Sequence, residues 1–385
     1  MNSRPSRGRV CFYSPLLYPT AAGKLEVVGG TEVRLWALAR DLAKRGFDVT
    51  IVTCDFGQEL VEEREGVSLV RTFSAQAGIP GVRFFYPRLW QAMRALNRAQ
   101  ADVYLAGGSG IPAGWAYHAA RLRGSKFVFL AASDGDADVS LPWLTKRRER
   151  WWYERALRGA NTRVSQTDLQ QRLFRQNFGV ETEVIPSPVD LNSSPTDAGA
   201  NSSVVWLSTY RPSKRPEWFT ELARRLPQIR FVMVGQPLSG EAAETWRAAQ
   251  HAAATMPNLE VHGFVDHAHI GDFLGKAGLF VHTSGLEGFP MTLLEAWSYG
   301  IPSVTTVDPG GTIARHKLGE VVTSLDGLTE AVARMMSAPD ERRVIGAKAR
   351  RYVEEHHGPE RSYEPMAALL DRVIRDRDAG TSRNQ

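Results

Sequence analysis

Short apolar runs alternate with helical stretches twice along this chain, and a polar segment separates the two series. In the first series the strand candidates are Arg9–Ser14, Asp48–Thr53, Ser68–Thr72, Asp102–Ala106, Lys126–Ala131, Thr162–Ser165 and Glu183–Ile185. Between them lie helical patterns at Glu32–Arg45, Pro87–Ala99, Pro112–Arg123, Leu144–Arg158 and Gln166–Asn177. That alternation predicts a doubly wound parallel sheet covered by helices. Pro186–Ser203 (PSPVDLNSSPTDAGANSS) is rich in Pro, Ser, Asn, Asp and Gly, and reads as a linker. The pattern then restarts. Strands are expected at Val204–Ser208, Arg230–Val234, Leu259–His262, Ala277–Ser284, Pro302–Thr306 and Glu320–Val322. Helices are expected at Pro216–Arg225, Gly240–Ala254, His267–Gly275 and Leu325–Met336, with a charged helical tail over Asp340–Arg375. The chain therefore reads as α/β, with two Rossmann-like domains facing each other across a cleft: 1–186, a linker 187–203, and 204–358.

A length of 385 residues suffices for two cores. The 43% hydrophobic and 23% charged composition is that of an ordinary globular protein. No apolar run approaches the ~20 residues of a membrane span, and the basic start (MNSRPSRGRV) lacks the apolar core of a signal peptide. Cys11 and Cys54 both fall in apolar strands, as buried thiols of a reducing cytosol would. Residues 1–190 hold 26 Lys/Arg against 19 Asp/Glu, and the remainder 21 against 23. A basic first half calls for an anionic partner there: a phosphate, an acidic lipid surface or nucleic acid. No nucleic-acid module accompanies the modest excess, so no nucleic-acid partner is expected.

The densest chemistry lies in Glu287–Pro302 (EGFPMTLLEAWSYGIP). Two carboxylates stand on either side of a Gly/Pro loop that runs into a helix start. Pro290 suits a first helical position, with Leu293, Leu294, Ala296 and Trp297 as the apolar stripe. Helix-start amides attract anions, and a carboxylate accepts sugar hydroxyls. Both glutamates also fit an ordinary loop charge and an ordinary polar helix position. The motif falls at the carboxyl edge of a βαβ unit, where open α/β sheets bind ligands.

Other candidates are sparser. Gly29-Gly30 precedes Thr31, a candidate N-cap, without the spacing of a dinucleotide fingerprint. Arg211, Lys214 and Arg215 follow the strand VVWLS, where cations suit a diphosphate or a solvated basic turn. Asp134 and Asp136, after the strand KFVFLAA, are candidates to bind sugar hydroxyls on the acceptor side. No metal-ligand spacing is evident, and no metal site is expected. In Leu144–Arg163 (LTKRRERWWYERALRGANTR) basic residues interleave with aromatics, which fits both a core-packed helix and one that touches anionic lipid.

These residues resemble the retaining nucleotide-sugar glycosyltransferases of family 4, with the GT-B fold. Glu287–Pro302 resembles their EGFxxxxLEAxxxGxP signature, with weaker matches at Gly29–Glu32, Val184–Asp190, Tyr210–Pro216 and Gly263–Val265. The resemblance implies an acceptor-binding domain 1–186, a donor-binding domain 204–358, and a final helix (359–385) that packs on the first domain. It implies that Gly29 and Gly30 approach the donor phosphates, and that Arg211 and Lys214 bind the diphosphate. Phe264 and Val265 would hold the base. Glu287 and the 288–292 backbone (Gly288, Phe289, Met291, Thr292), continuing to Leu293, would hold the sugar, and Glu295 the ribose. Two positions depart from the pattern. The family's Arg commonly stands where Thr209 does here. Its His near an N-terminal strand end has no counterpart, because Gly107-Gly108 occupies that place and His118 lies inside a helix.

The expected reaction is transfer from a UDP- or GDP-sugar to an acceptor hydroxyl with retention, without metal or cofactor. The expected setting is polysaccharide or glycolipid synthesis in the cytoplasm. Carbohydrate or lipid-linked acceptors are expected, with the first domain peripheral to the inner membrane face. A hydrolase, a sugar-nucleotide epimerase and a non-catalytic nucleotide-sugar binding protein are the rival readings.

Overall fold

The computed structural model describes residues 6–23, 29–74, 76–79, 82–191, 195–235 and 241–382. Asn192–Ser194 of the linker, the expected helix start at Gly240 and both chain ends lie outside the described residues.

The first sheet is built from β1 (Arg9–Tyr13), β2 (Asp48–Asp55), β3 (Val61–Arg64), β4 (Val67–Ser74), β5 (Val103–Gly107), β6 (Lys126–Leu130), β7 (Thr162–Ser165) and β8 (Glu183–Val184), in the order β3-β4-β2-β1-β5-β6-β7-β8. Its pairings are parallel except β3 with β4. The central strands are buried on both faces, which accounts for their unbroken apolar runs. β3 escapes sequence reading because Val-Glu-Glu-Arg is a half-exposed edge, held by pairing rather than by burial.

The second sheet contains β9 (Ser203–Leu207), β10 (Arg230–Val234), β11 (Leu259–His262), β12 (Ala277–His282), β13 (Ser303–Thr305) and β14 (Gly319–Val321), all parallel, in the order β11-β10-β9-β12-β13-β14. The chain steps outward from β9 to β11, then crosses back to lay β12 on the other side of β9. Loops after β9 and β12 therefore leave toward opposite faces and open a crevice at the carboxyl edge. Both sheets are doubly wound.

Contacts divide the chain into two units. One comprises Met1–Ala22, Thr31–Pro188 and Glu360–Gln385, and the other Gly23–Gly30 and Val189–Pro359. The charged tail is two helices, Pro339–His356 and Pro359–Ser382. The last places Tyr363, Met366, Leu370 and Val373 at helical spacing in the core of the first unit, against Val10, Phe12 and Leu35. Arg372 bonds Glu183 at 2.5 Å beside that stripe, and Arg377 pairs with Asp102. The linker segment is pinned as well. Buried Arg342 donates to the carbonyls of Ala198 (3.0 Å), Gly199 (3.1 Å) and Asn201 (3.1 Å). Its composition reads as loose because backbone carbonyls, not side chains, make these contacts.

Two helix starts differ from expectation. Gly30, not Thr31, opens the Gly30–Lys44 helix, so Thr31 is not its N-cap. Pro290 is extended (φ −61°, ψ 122°) and caps a helix that begins at Met291.

Gly235 ends β10 at φ +153°, where a Cβ would stand 1.7 Å from the Ser208 carbonyl oxygen. Its N–H donates to the carbonyls of His262 (3.2 Å) and Gly263 (3.3 Å), so it ties together the ends of β10 and β11. Gly235→Ala should destabilise the protein by roughly 2–5 kcal/mol, from backbone strain and overpacking combined. Urea unfolding monitored by circular dichroism measures the loss.

Candidate active site

Lys214 and Glu287 are far apart in sequence and meet at the crevice between β9 and β12. Lys214 closes a short 3-10 turn, Pro212–Lys214, after β9. Glu287 stands on the loop after β12, and the two side chains form an ion pair. Two hydrogen bonds hold the loops in register. Gly285 N–H donates to the Ser213 carbonyl (2.9 Å), and Thr283 Oγ1 to the Lys214 carbonyl (2.5 Å). Thr283 in turn accepts from Trp206 Nε1 on β9 at 3.0 Å. Thr306 Oγ1, beyond β13, donates to the Ser284 carbonyl at 2.7 Å.

His282 is the functional candidate that the sequence reading missed. It ends β12 at 3% exposure, with Nε2 3.2 Å from Ser284 Oγ and 3.5 Å from Glu287 Oε1. The available signal was a polar residue closing a run of buried apolar ones. Burial alone would raise the Glu287 carboxyl. His282 and the Lys214 ammonium outweigh that and hold it well below the usual carboxylate range. Glu287 is therefore an acceptor only, fixed beside two donors.

The remaining predicted residues divide by what they still offer a ligand. Thr292 is half-buried in the first turn of the Met291–Ser298 helix, and first-turn N–H groups have no intrahelical acceptor. Phe289 packs its ring on His357 (4.8 Å) and Trp297 (6.0 Å), so only its backbone faces the loop. Gly288 and Met291 are buried. Leu293 is a correction to the expected donor contacts. Its side chain is fully buried and its N–H bonds the Pro290 carbonyl at 3.1 Å, so neither is left for a ligand.

Glu295, mostly buried, reaches His267 Nε2 at 2.8 Å. His267 follows the β11 loop that carries half-buried Phe264 and Val265. Loops after β9, β11 and β12 thus contribute to one edge of the sheet. Gly29 and Gly30 group with this unit, where a Cβ on Gly30 would lie 3.6 Å from Met291 Cγ. Arg211 is exposed and makes no ion pair among the described residues. Arg215 takes a left-handed conformation (φ 47°) and brings its guanidinium over Trp218 and beside Gly285.

In the first unit Asp136 is a second correction. It is 2% exposed, and its oxygens accept the backbone amides of Ser109 (2.8 Å), Ala132 (2.7 Å) and Ser133 (3.0 Å). It stitches the loops after β5 and β6 together and has no free oxygen face for an acceptor sugar. Asp134 is half-buried and accepts from Gln170 Nε2 at 3.0 Å. Among the described residues no helix is long and apolar enough to cross a membrane.

Residues 28–193 match the model of Glycosyltransferase Family 4, and residues 201–352 that of Glycosyl transferases group 1. No curated protein sequence matches the chain. Several solved structures share the fold. Sucrose-phosphate synthase from Thermosynechococcus elongatus superposes with a TM-score of 0.78 at 18% identity, over 96% of this chain and 99% of that one. HepE from Anabaena, solved in complex with UDP, gives 0.71 at 18%, over 94% and 99%. WaaG, a glycosyltransferase involved in lipopolysaccharide biosynthesis, gives 0.70 at 17%, over 94% and 99%. With two matched models spread over both α/β units, the chain belongs to the glycosyltransferases of the GT-B, family 4 type.

Proposed function

We propose that the protein transfers a glycosyl group from a UDP- or GDP-sugar to an acceptor hydroxyl, with retention of configuration and without a metal. The observation that carries this reading is the Lys214–Glu287 pair at the switch point of the second sheet, beside the first-turn amides of the Met291–Ser298 helix. Similar folds crystallised with UDP and with UDP-glucose support the nucleotide-sugar donor.

Departure of a nucleoside diphosphate leaves an oxocarbenium-like sugar and a growing negative charge. Lys214 and the helix-start amides are the groups suited to that charge, and preorganised electrostatics of this kind is commonly the largest catalytic contribution. Glu287, held ionised, is suited to accept hydroxyls of the donor sugar, and Glu295 those of the ribose. The departing phosphate can take the acceptor's proton on the same face, so retention requires no side-chain base. Arg215 is better placed than Arg211 to assist Lys214, since its guanidinium already lies beside the Glu287 loop. The second unit would then be the donor domain and the first the acceptor domain. Carbohydrate or lipid-linked acceptors in polysaccharide or glycolipid synthesis, at the cytoplasmic membrane face, fit its basic charge.

Incubation with a panel of labelled UDP- and GDP-sugars tests the reading. Nucleotide release that requires an acceptor is expected. Release without one would identify a hydrolase, and binding without turnover a non-catalytic module.

Lys214→Ala should lower kcat by about two to three orders of magnitude, the ~2–4 kcal/mol of a lost charge-stabilising group. Unchanged turnover would remove Lys214 from the reaction.

Glu287 has a depressed folded-state pKa, so its stabilising contribution is full above the ordinary glutamate value of about 4.3 and fades as pH falls below it. The kcat profile of the native enzyme should therefore show no Glu287 limb between about pH 5 and 7. Lys214→Ala and His282→Leu each remove one of the two groups that favour the carboxylate, so that burial is opposed only by the other. Each should move the acid limb upward, and an unmoved limb in His282→Leu would show that this histidine does not control Glu287.

A further inference from the structure

The Arg147–Gly159 helix keeps most of its apolar side in the core. Tyr153, Ala156 and Leu157 are buried, and Trp152 packs on His118 at 4.7 Å, leaving Trp151 exposed. The exposed apolar side chains of the first unit concentrate elsewhere. Ile79 (77% exposed), Val82 (61%), Phe85 (63%), Tyr86 (64%) and Trp90 (51%) all fall between positions 79 and 90. Isolated exposed apolar residues are ordinary, but a cluster of this size marks an interaction surface.

The cluster is anchored. Phe84 is buried against Trp115 at 5.6 Å and meets Phe85 edge-on at 5.0 Å. Gly78 (φ +89°) lets the chain turn where a Cβ would stand 2.7 Å from both Arg83 and Pro87. The exposed side chains thus project from a held turn.

Charge decides the partner. No acidic residue occurs between Glu65 and Asp102, a stretch that holds five arginines. Arg94 lies over the Trp90 ring at 5.3 Å, and Arg148, from the Arg147–Gly159 helix, over Phe84 at 4.6 Å. Arg83, Arg94, Arg147 and Arg148 are exposed and have no carboxylate partner among the described residues. Cations interleaved with Trp, Tyr and Phe match a layer where phosphates overlie hydrocarbon, because guanidinium groups pair with phosphate while ring faces enter the interface. Just before that helix, Trp143 (46% exposed) donates to Ser133 Oγ at 3.3 Å, so the segment also borders the carboxyl edge of the first sheet.

We propose that Ile79 and the 82–94 segment, with the start of the Arg147–Gly159 helix, dock the first unit on an anionic lipid surface. This deepens the lipid-linked acceptor reading and depends on it only for what the acceptor is.

The test is sedimentation of the full-length protein with vesicles of phosphatidylcholine alone and of phosphatidylcholine mixed with phosphatidylglycerol. Pelleting with the anionic vesicles is expected, weakening in high salt. Two variants, Phe85→Ser/Tyr86→Ser/Trp90→Ser and Arg83→Glu/Arg94→Glu, should each lose at least about tenfold in vesicle affinity. Both alter exposed positions, and circular dichroism checks that they fold as wild type. Undiminished pelleting of both variants, or none by the wild type, would overturn the proposal. Dimerisation in light scattering that the triple variant abolishes, without pelleting, would assign the face to a second copy and also overturn it. Nucleotide release with a water-soluble acceptor, measured on the same preparations, should be equal in all three proteins. Its absence from the wild type would count against the transferase reading and leave the lipid result standing.

Discussion

The adjacency of β9 and β12 is the constraint on which the candidate site depends. These strands pair in parallel although the chain visits β10 and β11 between them. Their following loops must part at the sheet edge, and one carries Lys214 while the other carries Glu287. A mostly buried carboxylate is costly unless it is paired and hydrogen-bonded. The ammonium and the His282 ring meet that requirement and leave the carboxylate ionised. An anion arriving at the helix start would compete with Glu287 for Lys214.

The first unit has the same winding and a different edge. Its loops after β5 and β6 are joined by buried Asp136, which accepts three backbone amides and lies near buried Arg34. The carboxylate acts there as a knot, and the open surface nearby is apolar and cationic. Its core is completed by the last helix of the chain, whose apolar stripe fills the space over β1 and whose arginines pair with Asp102 and Glu183. One edge is thus built around a cation and helix-start amides, the other around a closed loop bordered by aromatic residues.

Much of this was legible in the letters. Buried parallel strands such as Phe127–Leu130 and Phe231–Val234 read as unbroken apolar runs, because both faces are covered. Glu287 and Glu295 were recognisable from their spacing around a Gly/Pro loop. Other positions misled for definite reasons. Pro290 and Thr31 have the residue types of helix starts, yet the boundary falls one residue from expectation at the first and two at the second, set by hydrogen bonding rather than by propensity. Leu293 shares a motif with partly exposed Thr292 and Glu295 while its own helical phase turns it inward. Asp136 looked like a ligand because an acidic loop gives no sign of which carboxylates are already satisfied by backbone. Exposed Ile79, Val82, Phe85 and Tyr86 lay outside every expected element and Trp90 inside the expected Pro87–Ala99 helix, since apolar letters alone do not say which side of the core they face.

The sequence by itself determined the elements, their order and the chemical types at each loop, because hydrophobic periodicity and turn residues act over a few positions. Only the tertiary structure decided which loops became neighbours, which charges paired and which polar groups were already taken. Those outcomes depend on strand order and burial, which bring residues such as Lys214, His282 and Glu287 together and which no local pattern encodes.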